Sequence, residues 1–97
     1  MIRHVVVFNW KPEATAEQVE QIASELRKLA AGIPAVKAYA CGADAGITQG
    51  NSDFAVTADF DDEAGYISYR DDPGHREIIA RLIVPIMAQR AAAQLKV

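Results

Sequence analysis

The chain has 97 residues, is 51% hydrophobic and 24% charged, and carries a formal net charge of −3. That is one domain, residues 1–97, of ordinary soluble composition, too short for a second core and small enough to gain from burying surface against a second copy. Scattered Lys and Arg argue against a nucleic-acid surface, the lone Cys41 excludes an intrachain disulfide or a multi-cysteine metal site, and no apolar run approaches a membrane span.

Ile2 to Trp10 reads as a strand, rich in β-branched and aromatic residues and closed by Lys11-Pro12. It begins at once, so it is not a secretion signal, and the cytoplasm is the expected location. Alternation puts Ile2, His4, Val6, Phe8 and Trp10 on one face and Arg3, Val5, Val7 and Asn9 on the other. Both faces are apolar at their middle, so both are expected to be covered.

Thr15-Ala-Glu-Gln18 has capping-box spacing, which opens a helix whose Val19, Ile22, Leu26, Leu29 and Ile33 recur at helical period. Gly32 and Pro34 end it. Val36 to Ala43 is the second strand. The polar, glycine-bearing AGITQGNS at 45–52 suits a hairpin connection, and Asp53 to Phe60 is the third strand. A second helix through Ala64, Tyr66, Ile67 and Tyr69 is stopped by Asp72-Pro73, because the residue before a proline avoids helical angles. A short helix from Arg76 to Leu82 follows, ended by Pro85, and Ala91 to Val97 is the last strand. The order β-α-β-β-α-β, with the second helix broken, is the ferredoxin-like α+β order of a four-stranded antiparallel sheet with helices on one face. A second copy, related by two-fold symmetry, is the natural cover for the other face, so a homodimer is expected.

No phosphate-binding glycine loop, histidine pair at metal spacing or nucleophile elbow is present, so no cofactor and no metal are expected. The acidic DFDDE at 59–63 lacks calcium-loop spacing and reads as a strand end and helix cap. The chemistry-bearing residues are the two histidines and a tyrosine. His4 lies in an apolar row and reads either as a core histidine with one nitrogen bonded to backbone or as a polar group lining a cavity between sheet and helices. His75, after Pro73-Gly74, reads either as a solvated residue at a helix start or as an imidazole held neutral by the positive end of the helix dipole. Tyr69 is either a packing aromatic or a phenol that reaches back to hydrogen-bond that imidazole and fix its tautomer.

MIRHVVVFNWKPEAT with His4, the GIPAV turn at 32–36, and Tyr69 followed by DDPGH together resemble the stress-responsive dimeric α/β-barrel (Dabb) family over essentially the whole chain. The resemblance implies two ferredoxin-like sheets forming a barrel with the helices outside. Some plant members of that family are linked to heat and drought stress. In its olivetolic acid cyclase-like branch, linear polyketides are closed into rings by cofactor-free aldol chemistry. Carried over, the base falls on His75 and its partner on Tyr69, with His4 in the pocket wall. The apolar or aromatic ligand would then lie against Val6, Phe8, Ile22, Leu26 and Val56. That branch has a tyrosine where Leu26 stands here, which implies a differently shaped pocket. Lys37 and Arg3 are the candidate cations for a carboxylate or thioester group. A non-catalytic small-molecule-binding protein and a structural, stress-responsive dimer are the alternatives, and fold alone does not separate them.

Overall fold

Strand β1, Ile2–Trp10, runs through the middle of a four-stranded antiparallel sheet of order β2-β3-β1-β4, with β2 at Ala38–Ala43, β3 at Phe54–Phe60 and β4 at Met87–Lys96. The computed structural model describes all of residues 1–97. Helix α1, Ala16–Ala31, connects β1 to β2, while α2, Glu63–Arg70, and α3, Pro73–Ile78, lie between β3 and β4. This is the ferredoxin-like β-α-β-β-α-β fold, with its second helix divided at Asp71-Asp72.

Local chemistry explains the boundaries. Thr15 Oγ1 accepts the Gln18 N–H at 3.2 Å while Gln18 Oε1 accepts the Thr15 N–H at 2.8 Å, closing the capping box that starts α1. In the 44–53 connection, Gly46 and Gly50 have φ of +76° and +87°, a region that side chains with a Cβ rarely enter, and Asp44 accepts from Gly46 N and Asn51 Nδ2. Asp72 Oδ1 accepts from the N–H groups of Gly74 and His75, at 2.8 and 3.1 Å, and so starts α3 at Pro73.

Several boundaries differ from the sequence expectation. The second strand begins at Ala38 rather than Val36, because Ile33 to Val36 form a hydrogen-bonded turn. The third helix begins three residues before Arg76, since Pro73 and Gly74 serve as its first residues rather than as a break. A Cβ at Gly74 would lie 2.9 Å from Leu29 Cδ1, the end of a flexible side chain of α1 that would have to turn aside. The chain then passes through a π-helical turn, Ile79–Ile83, and a short 3-10 turn, Val84–Ile86. Pro85 sits in that last turn, and β4 begins at Met87, four residues before Ala91.

Helices cover one sheet face. Val6, Phe8, Phe54 and Val56 of the sheet meet Ile22, Ala23 and Leu26 of α1 and Ile78, Ile83 and Ile86 of the later turns, and a smaller cluster holds Ala58, Phe60 and Tyr69. Burying a side chain such as Ile22, which has no exposed surface, contributes roughly 1.5–3 kcal/mol. The opposite face is open. It carries Val5, Val7, Ala55, Thr57, Ala91, Ala93 and Leu95, with Leu95 51% exposed, and the Arg3–Asp59 ion pair toward one end. No helix is long and apolar enough to cross a membrane.

Candidate active site

Asp71 and Asp72 divide the second helix, and that division brings His75 back against the end of α2. Its imidazole rests on the ring of Tyr69, centroids 4.2 Å apart and planes 37° from parallel. Its Nδ1 lies 3.2 Å from the carbonyl oxygen of Arg70. A carbonyl only accepts, so Nδ1 carries the proton and Nε2 carries the lone pair. Burial lowers the pKa of His75, opposed by the Arg70 carbonyl and the Asp72 carboxylate, with Arg76 and Arg90 adding smaller downward effects. The direction is the one expected from sequence, but the main cause is desolvation, and α3 is only six residues long.

Tyr69 does not bond the imidazole. Its hydroxyl turns to Tyr39 on β2, oxygen to oxygen 3.1 Å, and burial pushes its pKa up to about 12. Burial raises the Tyr39 phenol still further, with Tyr69 adding to it. Tyr69 is therefore a flat support for His75, and the tautomer is fixed by the Arg70 carbonyl instead. Tyr39 was missed as a member of this group. The signal was present in the alternation of β2, which puts Tyr39 and Cys41 on the helix side.

His4 is 5% exposed on the helix side of β1. Its partner is a side chain and not backbone: the Gln94 amide Nε2 donates to His4 Nδ1 at 2.8 Å. With Nδ1 accepting, the ring proton is on Nε2, the opposite tautomer to His75. Burial first, then the charges of Arg90 and His75, lower its pKa to about 4. Tyr66 of α2 lies against the ring, centroids 5.0 Å apart. Neither histidine's Nε2 has a partner in the protein, and neither is sealed in, since the only buried polar side-chain atoms without a partner are Asn9 Oδ1 and Trp10 Nε1. One neutral imidazole thus offers a lone pair and the other an N–H, both at pH 7.

Val6, Phe8, Ile22, Leu26 and Val56 are brought together, but as one filled core in which each is 6% exposed or less. Hollows of about 170 to 580 Å³ on this chain are lined by other residues, one of them by Val7, Gly42, Phe54 and Ala55 with the 44–52 loop. None of these hollows is lined by His4 or His75; on the neighbouring β4, Arg90, Ala92 and Gln94 are exposed. Arg3 and Lys37 are both engaged elsewhere, Arg3 bidentate on Asp59 at 2.8 and 3.0 Å and Lys37 on Asp61 at 3.7 Å. No group of three or more His, Cys, Asp or Glu side chains is arranged to hold a metal ion. The π-helical turn directly after α3 is of a kind often found at functional sites.

Among proteins of curated function none matches the chain. Among solved structures, a dimeric ferredoxin-like protein of unknown function from Thermobifida fusca is 48% identical, with a TM-score of 0.91 over 99% of this chain and 90% of that one. A Dabb family protein with a ferredoxin-like fold from Mesorhizobium loti is 23% identical, TM-score 0.82, over 99% and 95%. A hydroxynitrile lyase from Passiflora edulis is 20% identical, TM-score 0.83, over 99% and 92%, a likeness of fold. Residues 2–97 match the stress responsive A/B barrel domain as a family, and the chain belongs to that family.

Proposed function

We propose that the protein is a cofactor-independent proton-transfer enzyme acting on a small, polyketide-like carbonyl compound, with His75 as the base and His4 as the hydrogen-bond donor to the developing enolate. The observation that carries this reading is the pair of opposite tautomers, His75 with Nδ1–H on the Arg70 carbonyl and His4 with Nδ1 on the Gln94 amide. His75 Nε2 takes a proton from the carbon between two carbonyls, the electron pair moves onto a carbonyl oxygen, and His4 Nε2–H steadies that oxygen. The proton returns from His75, or the enolate carbon attacks a second carbonyl of the same molecule in an aldol closure and the new alkoxide takes the proton. The carbon acid is already weakly acidic, so a neutral base and an oriented donor suffice. The working unit is a homodimer whose subunits meet through the open sheet face, a reading supported by its apolar row and by the dimeric protein from Thermobifida fusca.

The test is deuterium exchange at C3 of 2,4-pentanedione in D2O, followed by proton NMR. Wild type should exceed the buffer rate, and His75→Gln should fall to it while melting close to wild type. Equal rates for the two proteins would overturn the reading.

A second reading, a structural dimer without turnover, draws on the filled core at Val6, Phe8, Ile22, Leu26 and Val56, which leaves no closed pocket there. It requires that wild type give no exchange and that His75→Gln cost stability, about 0.5–1.5 kcal/mol for the lost bond to Arg70.

A further inference from the structure

The register of β4 on β1 pairs Phe8 with Arg90, Val6 with Ala92 and His4 with Gln94. Arg90, Ala92 and Gln94 therefore form one row on the helix side, next to His4, and all three are exposed because the helices lie over the other strands. The helix side of β4, alongside the strand that carries His4, is an open shelf with a cation standing on it.

That cation is unlike the other five arginines. Arg3 holds Asp59, Arg27 holds Glu20 and the Cys41 carbonyl, Arg70 and Arg76 share Asp71, and Arg81 lies between Glu25 and Glu77. Arg90 has no carboxylate or carbonyl partner. Yet the chain has 13 acidic residues against 10 basic ones, so acceptors are not scarce. Asp72, the carboxylate that acts on His75, already accepts the Gly74 and His75 N–H groups. Arg90 stands opposite Phe8, four positions along the row from His4, and its charge lowers the pKa of both imidazoles.

We infer that Arg90 is a substrate-binding residue that holds the carboxylate of an anionic keto acid beside His4 and His75. This rests on the proton-transfer reading of the same site. A guanidinium presents two parallel N–H donors that match the two oxygens of a carboxylate, which fixes orientation as well as position. Bound that way on the shelf, a short 3,5-diketo acid extends its acidic carbon from Arg90 toward the imidazoles. The cation also favours the extra negative charge that develops when His75 removes the proton. The preferred substrate is then a small β-keto or β,δ-diketo carboxylate, over a neutral ketone of the same shape.

The experiment compares wild type with Arg90→Gln on 3,5-dioxohexanoate and on its methyl ester, reading deuterium exchange, and reading binding from the Gln94 side-chain amide in 15N-edited NMR. The expected result is that the substitution lowers the acid-to-ester ratio of kcat/KM by about 10- to 100-fold, the value of a charge-assisted hydrogen bond. Arg90→Lys should recover part of the loss. An unchanged ratio, or no shift of the Gln94 amide with the acid, overturns the inference and leaves the proton-transfer reading standing. If neither compound exchanges but the acid moves the Gln94 amide in wild type and not in Arg90→Gln, the proton-transfer reading fails and carboxylate binding stands. Displacement of the acid by an equal concentration of inorganic phosphate means general anion attraction and overturns the carboxylate assignment. Loss of the dimer in Arg90→Gln, seen by sedimentation, makes Arg90 an interface cation and overturns the inference as well.

Discussion

His75 and Tyr69 rest against each other as tilted rings, 4.2 Å between centroids, yet the Tyr69 hydroxyl bonds Tyr39, 3.1 Å away, and not the imidazole. The ring of Tyr69 is what His75 needs, and its oxygen belongs to a separate pair.

Tyr69→Phe keeps the ring and removes the oxygen. It should leave deuterium exchange near the wild-type rate while costing about 1–3 kcal/mol in urea melts, because the half-buried Tyr39 hydroxyl loses its partner. Tyr39→Phe should cost a similar amount. The double variant should be more stable than the sum of the two losses predicts, with a coupling of about 1 kcal/mol. A large loss of exchange in Tyr69→Phe would return the phenol oxygen to the chemistry.

Stability should rise with pH between about 4 and 6.5. The folded pKa of His4 is lowered to about 4 from an ordinary 6.5, so in that window the unfolded chain binds more protons than the folded one. The folded state is therefore weakened as pH falls through 6.5 toward 4, by roughly 1–2 kcal/mol once solvent screening at its open side is allowed for. His75, lowered in the same direction, adds to the slope. Asp59 and Asp71, whose pKa values are depressed by their arginines, act only as pH falls through the ordinary carboxylate value of 3.8. Urea melts of His4→Asn should show a flatter slope from pH 4.5 to 6.5 than wild type. An equal slope would remove His4 as its source.

Asp72 caps α3 and also bears a charge on His75. Asp72→Asn keeps an acceptor for the Gly74 and His75 N–H groups but removes the charge that raises the imidazole pKa. NMR titration should find His75 titrating lower than in wild type with little loss of stability. Asp72→Ala should cost about 1 kcal/mol as well. A rise in the His75 pKa in the asparagine variant would contradict this.

Val7→Lys puts a charge in the middle of the open sheet face, opposite Ala55 and Ala91. Sedimentation velocity should show a dimer for wild type and a monomer for the variant. A variant that remains dimeric would mean the subunits meet elsewhere.

Much of the architecture was legible because local signals agreed with one another. The capping box at Thr15, the alternation of β1 and the Asp72-Pro73 stop each have a short-range cause. β4 was harder to bound: its Ala91-Ala92-Ala93 centre carries little strand preference, and Pro85 obscured its start at Met87. The candidate site suffered from the same gap. His4 and His75 stand out as the only histidines, but Arg90 and Gln94 acquire meaning only once the 4↔94 register is known, 90 residues apart in the chain. The bonding of Tyr69 depended on Tyr39 across the sheet, 30 residues away, which helix spacing does not reveal.

The central claim is that His75 is a neutral imidazole with its lone pair on Nε2. Long-range 1H–15N NMR of the two histidines at pH 7 tests it most directly, because the nitrogen shifts report which atom carries the proton. The account predicts Nδ1–H with a bare Nε2 for His75, the reverse for His4, and no charge on either. A His75 protonated on Nε2, or charged at pH 7, would contradict it.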